Sequence, residues 1–184
     1  MLGDIVKSVT DAVVTAIQGV SDVLTALRTV VKEQVTGALA DVTDIATGGL
    51  DAVASVASGA IKGAAQVGTS VTEAAHGVIS GIIEAVAGTA VDSVTAISKA
   101  AQTVIQSVQE TGGNIEDAAV GIVEGAIEGA GKVGMTTADA VTSAVKGVLK
   151  GADDIGSDAG TSVRTALTSA ASLPKDLVES AIKG

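Results

Sequence analysis

Apolar residues recur along this chain at steps of eleven. From Val9 the series runs through Val20, Val31, Val42, Val53, Ala64, Ala75, Val86, Ile97, Val108, Ala119, Ala130, Val141, Ala152 and Val163, and it stops only at Pro174. Rows that begin at Leu2, Ile5, Val6 and Ala12 behave in the same way, with occasional exceptions such as Gln34, Arg28 and Glu116. Eleven residues make three helical turns at about 3.67 residues per turn, close to the relaxed value. At about 98° per residue the five rows fill one continuous arc of about 130°. The rows that start at Gly3, Lys7, Thr10 and Asp11 gather on the opposite side. Alternation with period two, the mark of a half-buried strand, is absent.

The pattern predicts an all-α protein. It consists of a long amphipathic helix, or helices, that associate through the stripe as a right-handed or nearly straight coiled coil or bundle. No insertion breaks the count over residues 1–172, so residues 1–184 read as one repetitive region with a short C-terminal helix over 173–184. TGG (47–49), ETGGN (110–114) and LPKD (173–176) are the candidate interruptions. Pro174 is expected to end one helix and open a short last one, while at the two Gly-Gly sites bending and straight passage both stay open, since the register survives them. Hairpin loops would be expected to disturb the count. Without breaks the rod would span about 275 Å at 1.5 Å per residue.

Between stripe and polar face lies a shoulder of small residues. Gly37, Gly48, Gly59, Ser70 and Gly81 share one row, and Gly63, Ala74, Ala85 and Ala96 its neighbour. Gly59/Gly63, Gly77/Gly81, Gly121/Gly125/Gly129 and Gly147/Gly151 form small-xxx-small ridges that let two helix backbones approach closely. Glycine costs a helix interior roughly 1 kcal/mol, so these ridges need a packing role to offset that loss. The stripe residues Val9, Val20, Val31, Val42, Val53, Val86, Ile97, Val108, Val141 and Val163 are therefore expected to face a protein or lipid partner.

Composition narrows the classes. The chain has 184 residues, 23 of them Gly, one Pro, and no Phe, Tyr, Trp or Cys. Aromatic rings supply much of the buried area in ordinary cores, and here that area has to come from Ala, Val, Ile and Leu. At 47% apolar and 17% charged the chain is too hydrophobic for a solvated disordered tail. The net charge of −10 counts against nucleic acid, whose phosphates need clustered Lys and Arg. It also counts against anionic bilayers. Charges recur often enough that no uncharged run exceeds ten residues, whereas a membrane span needs about 20 apolar residues. Asp4 and Asp11 interrupt the start where a secretory signal would be apolar, and an intracellular location is expected, with a place at a lipid or granule surface left open.

Candidate chemistry is sparse. GAGKVG (129–134) lacks the upstream Gly and following Ser or Thr of a phosphate loop, which are Ala126 and Val133 here. His76 stands alone, and Asp153, Asp154 and Asp158 lack calcium-loop spacing. Glu124 and Glu128 share a helix face with no pocket expected around them. The expectation is a protein without catalytic, cofactor or metal residues.

The eleven-residue repeat, with VKEQV at 31–35 and its Thr- and Gly-punctuated valines, resembles the synucleins and perilipins. More loosely it is similar to apolipoproteins, phasins and coiled coils with an eleven-residue repeat. The resemblance rests on periodicity, covers nearly all the chain and carries over no individual residue. It implies either helices on a lipid-droplet or membrane surface, or side-by-side helix assembly. Self-assembly is favoured, because aromatic interfacial anchors are absent and the net charge is negative. A coat on a lipid droplet, polymer granule or membrane is the alternative.

Overall fold

The computed structural model describes residues 2–184, with side chains for all of these except 45 and 46. Among the described residues there are nine helices and no strand: α1 (Leu2–Ile17), α2 (Val23–Ala40), α3 (Ile45–Val67), α4 (Val71–Val86), α5 (Ser93–Glu110), α6 (Ile115–Val133), α7 (Thr137–Ile155), α8 (Ser157–Ser169) and α9 (Lys175–Lys183). The near-continuous rod allowed by the repeat is therefore replaced by a chain of helices that turns back on itself.

Sequence signals for the turns are local and consistent. Gly19, Gly68, Gly88, Gly112 and Gly134 follow helix ends with φ between +74° and +81°, a left-handed conformation that glycine adopts without a Cβ clash. Four of them, all but Gly68, are followed within a few residues by a helix-capping side chain. Asp22 accepts from the backbone N–H of Thr25 and Asp92 from that of Thr95, both at 2.9 Å. Asn114 accepts from Glu116 and Asp117, and Thr136 from Asp139. These bonds satisfy donors that the first helical turn leaves unpaired.

The turns leave the eleven-residue count intact for a simple reason. The caps Ser70, Asp92, Asn114 and Thr136 fall 22 residues apart, so helix plus turn equals two repeats. A hairpin of that length passes unnoticed in the register. Two of the three candidate interruptions sit at real breaks. Residues 111–114 form the turn between α5 and α6, and Pro174 stands just ahead of α9. At the third, TGG (47–49), the helix passes straight, inside the first turns of α3, and the break falls at 41–44 instead.

Among the described residues, helices pack with those one and two places along the chain, and no helix–helix backbone contact reaches further. Gly59 of α3 meets Val6 of α1, and Gly63 meets Thr10, so these two helices run in the same direction. The α2 helix must run back between them. The same parallel pairing joins α4 to α6 and α5 to α7. The result is two layers, odd-numbered helices in one and even-numbered in the other, built by nearest-neighbour packing as in repeat arrays.

The core lies between and within these layers. Val9, Val31, Val53, Ala64, Ala75, Val86, Ile97, Val108, Ala119, Ala130, Val141, Ala152 and Val163 are all buried. Two members of that row are corrected. Val20 is 42% exposed, because α1 ends at Ile17 and the turn through Gly19 carries Val20 outward. Val42 also lies in a turn and is half-buried, packed against the core. Burying a Val or Ile side chain contributes about 1.5–3 kcal/mol, which offsets the poor intrinsic helicity of these Gly- and Val-rich segments. No helix among the described residues is long and apolar enough to cross a membrane.

Candidate functional site

Two arrangements emerge from this packing: glycine seams between parallel helices and an ion-pair lattice on the even layer. In each of four seams a ridge of glycines on the later helix accepts the backbone of the earlier one. A Cβ on Gly59 would lie 2.6 Å from the Val6 carbonyl oxygen, and one on Gly63 would lie 2.9 Å from that of Thr10. Gly77 and Gly81 face Leu27 and the Arg28 carbonyl, at 3.2 and 2.6 Å. Gly121 and Gly125 press on the carbonyls of Thr72 and His76, while Gly129 rests on Ile83. Gly147 and Gly151 do the same to Ser98 and Gln102. These seams lie within one chain.

Gly37 and Gly48 depart from the expected close packing with another helix. Gly37 is exposed with nothing near its missing Cβ, because among the described residues no helix packs on that side of α2. Gly48 is filled only locally, by Val42 of the preceding turn at 2.6 Å. Gly37→Ala is therefore expected to stabilise the protein by about 0.4–1 kcal/mol, through helix propensity and a stiffer unfolded chain. A urea melt followed by circular dichroism measures it, and a lower midpoint would show that Gly37 is packed after all.

The lattice gathers seven ionisable side chains from three helices. Arg28 and Lys32 come from α2, His76 and Glu84 from α4, and Glu124, Glu128 and Lys132 from α6. At its centre Glu128 is shared: Arg28 Nη1 reaches Oε1 at 2.6 Å, Lys132 Nζ reaches the same oxygen at 2.5 Å, and His76 Nε2 lies 2.5 Å from Oε2. His76 Nδ1 is 3.8 Å from Glu124. Glu84, 14% exposed, lies between Arg28 Nε at 3.5 Å, Lys132 at 3.3 Å and Lys32 at 3.4 Å. Its Oε1 is buried and accepts no hydrogen bond, so the two cations beside it balance its charge without a directed bond. Besides His76, three cations and three carboxylates cancel, although the chain as a whole carries −10. An open groove of about 490 Å³ runs beside the lattice, lined by Arg28, Thr29, Lys32, Glu33, Thr36 and Glu84.

The Lys132 hydrogen bond, helped by His76 and opposed by burial, lowers the Glu128 carboxyl from 4.5 to about 2. Because the folded value lies below the unfolded one, the unfolded chain binds more protons between them. The stabilisation is complete above about pH 4.5 and is lost as pH falls towards 2. With solvent screening allowed for, it is on the order of 1 kcal/mol. Glu128→Gln is expected to flatten the acid limb of stability against pH by that amount. An unchanged limb would remove Glu128 from the balance.

Sequence reading left His76 alone and gave Glu124 and Glu128 no partner. The parallel packing of α4 on α6 joins all three. The available signal was spacing: His76 and Glu128, Lys32 and Glu84, and Gln102 and Asp154 are each 52 residues apart. That interval is one step between parallel helices plus one or two turns of stagger, and it has meaning only once the two-layer path is known. Asp153 pairs with Arg164 through both guanidinium nitrogens, at 3.1 and 3.0 Å, which ties α7 to α8. Among the described residues no three His, Cys, Asp or Glu side chains are grouped to hold a metal ion.

The chain matches no protein-family model, and no curated protein matches it either.

Proposed function

We propose that this is a non-catalytic structural protein that self-associates through its apolar stripe when the array opens. The opened form would be a coiled-coil bundle or filament, right-handed or nearly straight. In the closed array the stripe is already covered by the chain's own helices, so association depends on opening.

The observation that carries this reading is the phase of the stripe across the turns. Helix starts are not evenly spaced at the C-terminal end: the cap Gly156 follows Thr136 by 20 residues and Pro174 follows Gly156 by 18. Yet Val163, Leu167, Val178 and Ala181 stay on the same eleven-residue rows as Val9, Val13 and Ile5. A helix in a folded array can rotate about its own axis, so packing alone places no constraint on phase across a turn. A stripe that becomes continuous when the turns turn helical does. The polar groups that converge on α2, α4 and α6 pair with one another, in keeping with a structural role.

A second reading, a coat on a lipid droplet, polymer granule or membrane surface, is favoured by the character of the stripe. Its arc is broad and built from Ala, Val, Ile and Leu, which suits a partner without fixed shape. Light scattering, negative-stain microscopy and circular dichroism on lipid-free protein, over a range of concentrations, separate the two. Oligomers or filaments with raised helicity are expected. A monomer at every concentration that gains helicity on neutral oil droplets would replace assembly by the coat. A monomer indifferent to both would sink both.

A further inference from the structure

We infer that the ion pairs among α2, α4 and α6 act as an electrostatic strap that holds the N-terminal helices α1 and α2 on the array and sets the end from which the chain opens. The inference rests on the proposed opening and names its control point.

Reach is the first ground. Backbone contacts stop at the second neighbour, but Arg28 on α2 crosses over α4 to Glu128 on α6, a hundred residues further along. In an array held by neighbours alone, each end can peel away one helix at a time. A link that skips a helix makes α2 leave only when contacts to both α4 and α6 break together.

Burial is the second. The α1 helix buries only Val9, Val13 and Ile17, and α2 only Leu27, Val31, Val35 and Leu39, whereas α4 buries residues along nearly its whole length. Apolar packing alone leaves this end weakly held, as it does the C-terminal end, where α8 and α9 bury fewer residues still. Arg28, Glu84 and Glu128 are 21%, 14% and 29% exposed, so water and salt screen them less than surface pairs. Detachment of α2 would remove Arg28 and Lys32 from Glu84, leaving Lys132 as the cation beside it. The C-terminal end differs: its α7–α8 pair, Arg164 with Asp153, is about half exposed. Charge therefore matters most at the N-terminal end.

Hydrogen–deuterium exchange on the full chain without lipid tests this at low and at high sodium chloride. At low salt Arg28→Gln is expected to speed exchange over residues 2–40 about tenfold, the effect of losing partly buried charged hydrogen bonds. High salt should move the wild type in the same direction, with α6 and α7 unchanged. Lys62→Gln, which removes the exposed Lys62–Glu110 pair, is the control and should leave residues 2–40 unaltered. If Arg28→Gln destabilises the fold generally, Lys32→Gln supplies the milder variant and should show the same local pattern. Wild-type exchange over 2–40 in both variants, or equal acceleration of every helix by salt, overturns the strap. The readout needs no partner surface, so a chain that never associates sinks the proposed function and leaves the strap standing.

Discussion

Replacing Ile97 with aspartate is expected to unfold the centre of the array. Ile97 is fully buried on α5, a helix packed against α3, α4, α6 and α7. An uncompensated carboxylate there loses its water and finds no cation, and the lost Ile packing adds to the penalty. The sum is about 3–5 kcal/mol, a large part of the 5–15 kcal/mol that holds a typical domain. The loss should spread, because α5 links the two halves of the array in both layers. The control is Ile155→Asp, at the exposed end of α7, where the same charge meets water and should change stability by less than about 0.5 kcal/mol. Thermal and urea unfolding, followed by circular dichroism, compare the two. Equal losses would mean that the stripe at Ile97 does not face the interior.

The double variant Gly121→Ala, Gly125→Ala should destabilise the fold although alanine is the better helix former. Two methyl groups contribute roughly 1 kcal/mol each in helix propensity. Against that, each new Cβ would sit against a carbonyl of α4, those of Thr72 and His76. Backbone cannot swing aside as a long side chain can, so α4 and α6 must separate along the whole seam. Overpacking of this kind costs about 1–3 kcal/mol per site, and the separation also draws His76 away from Glu128. The net effect is a loss of about 2 kcal/mol for the pair, with non-additive single variants because both sites share one seam. A lower urea midpoint is expected here and a higher one for Gly37→Ala. Stabilisation by the double variant would show that the seam has room.

Much of the local order can be read directly from the residues. Helicity follows from the spacing of Val, Ile, Leu and Ala, and the same spacing identifies the side that turns away from water, down to residues such as Val53, Ile97 and Val141. The close approach at Gly59/Gly63 and Gly121/Gly125 is visible as well, since glycine repeated at four-residue spacing in a helix has little other use. The turns were harder to see. Their signal, a glycine followed by Asp, Ser, Asn or Thr, is common in a chain with 23 glycines, and a 22-residue unit hides each reversal inside the count. Val20 and Gly37 show the limit: both fit the pattern, and both face solvent because of where the chain turns or ends its layer.

By itself, then, the sequence determined that the chain is helical and which edge of each helix is apolar, because those depend on near neighbours three, four and eleven residues apart. Only the tertiary structure decided what covers that edge and which charges meet. The partners of Arg28, His76 and Glu84 lie 48 to 100 residues away, and no short-range pattern fixes a distance that depends on how helices stack.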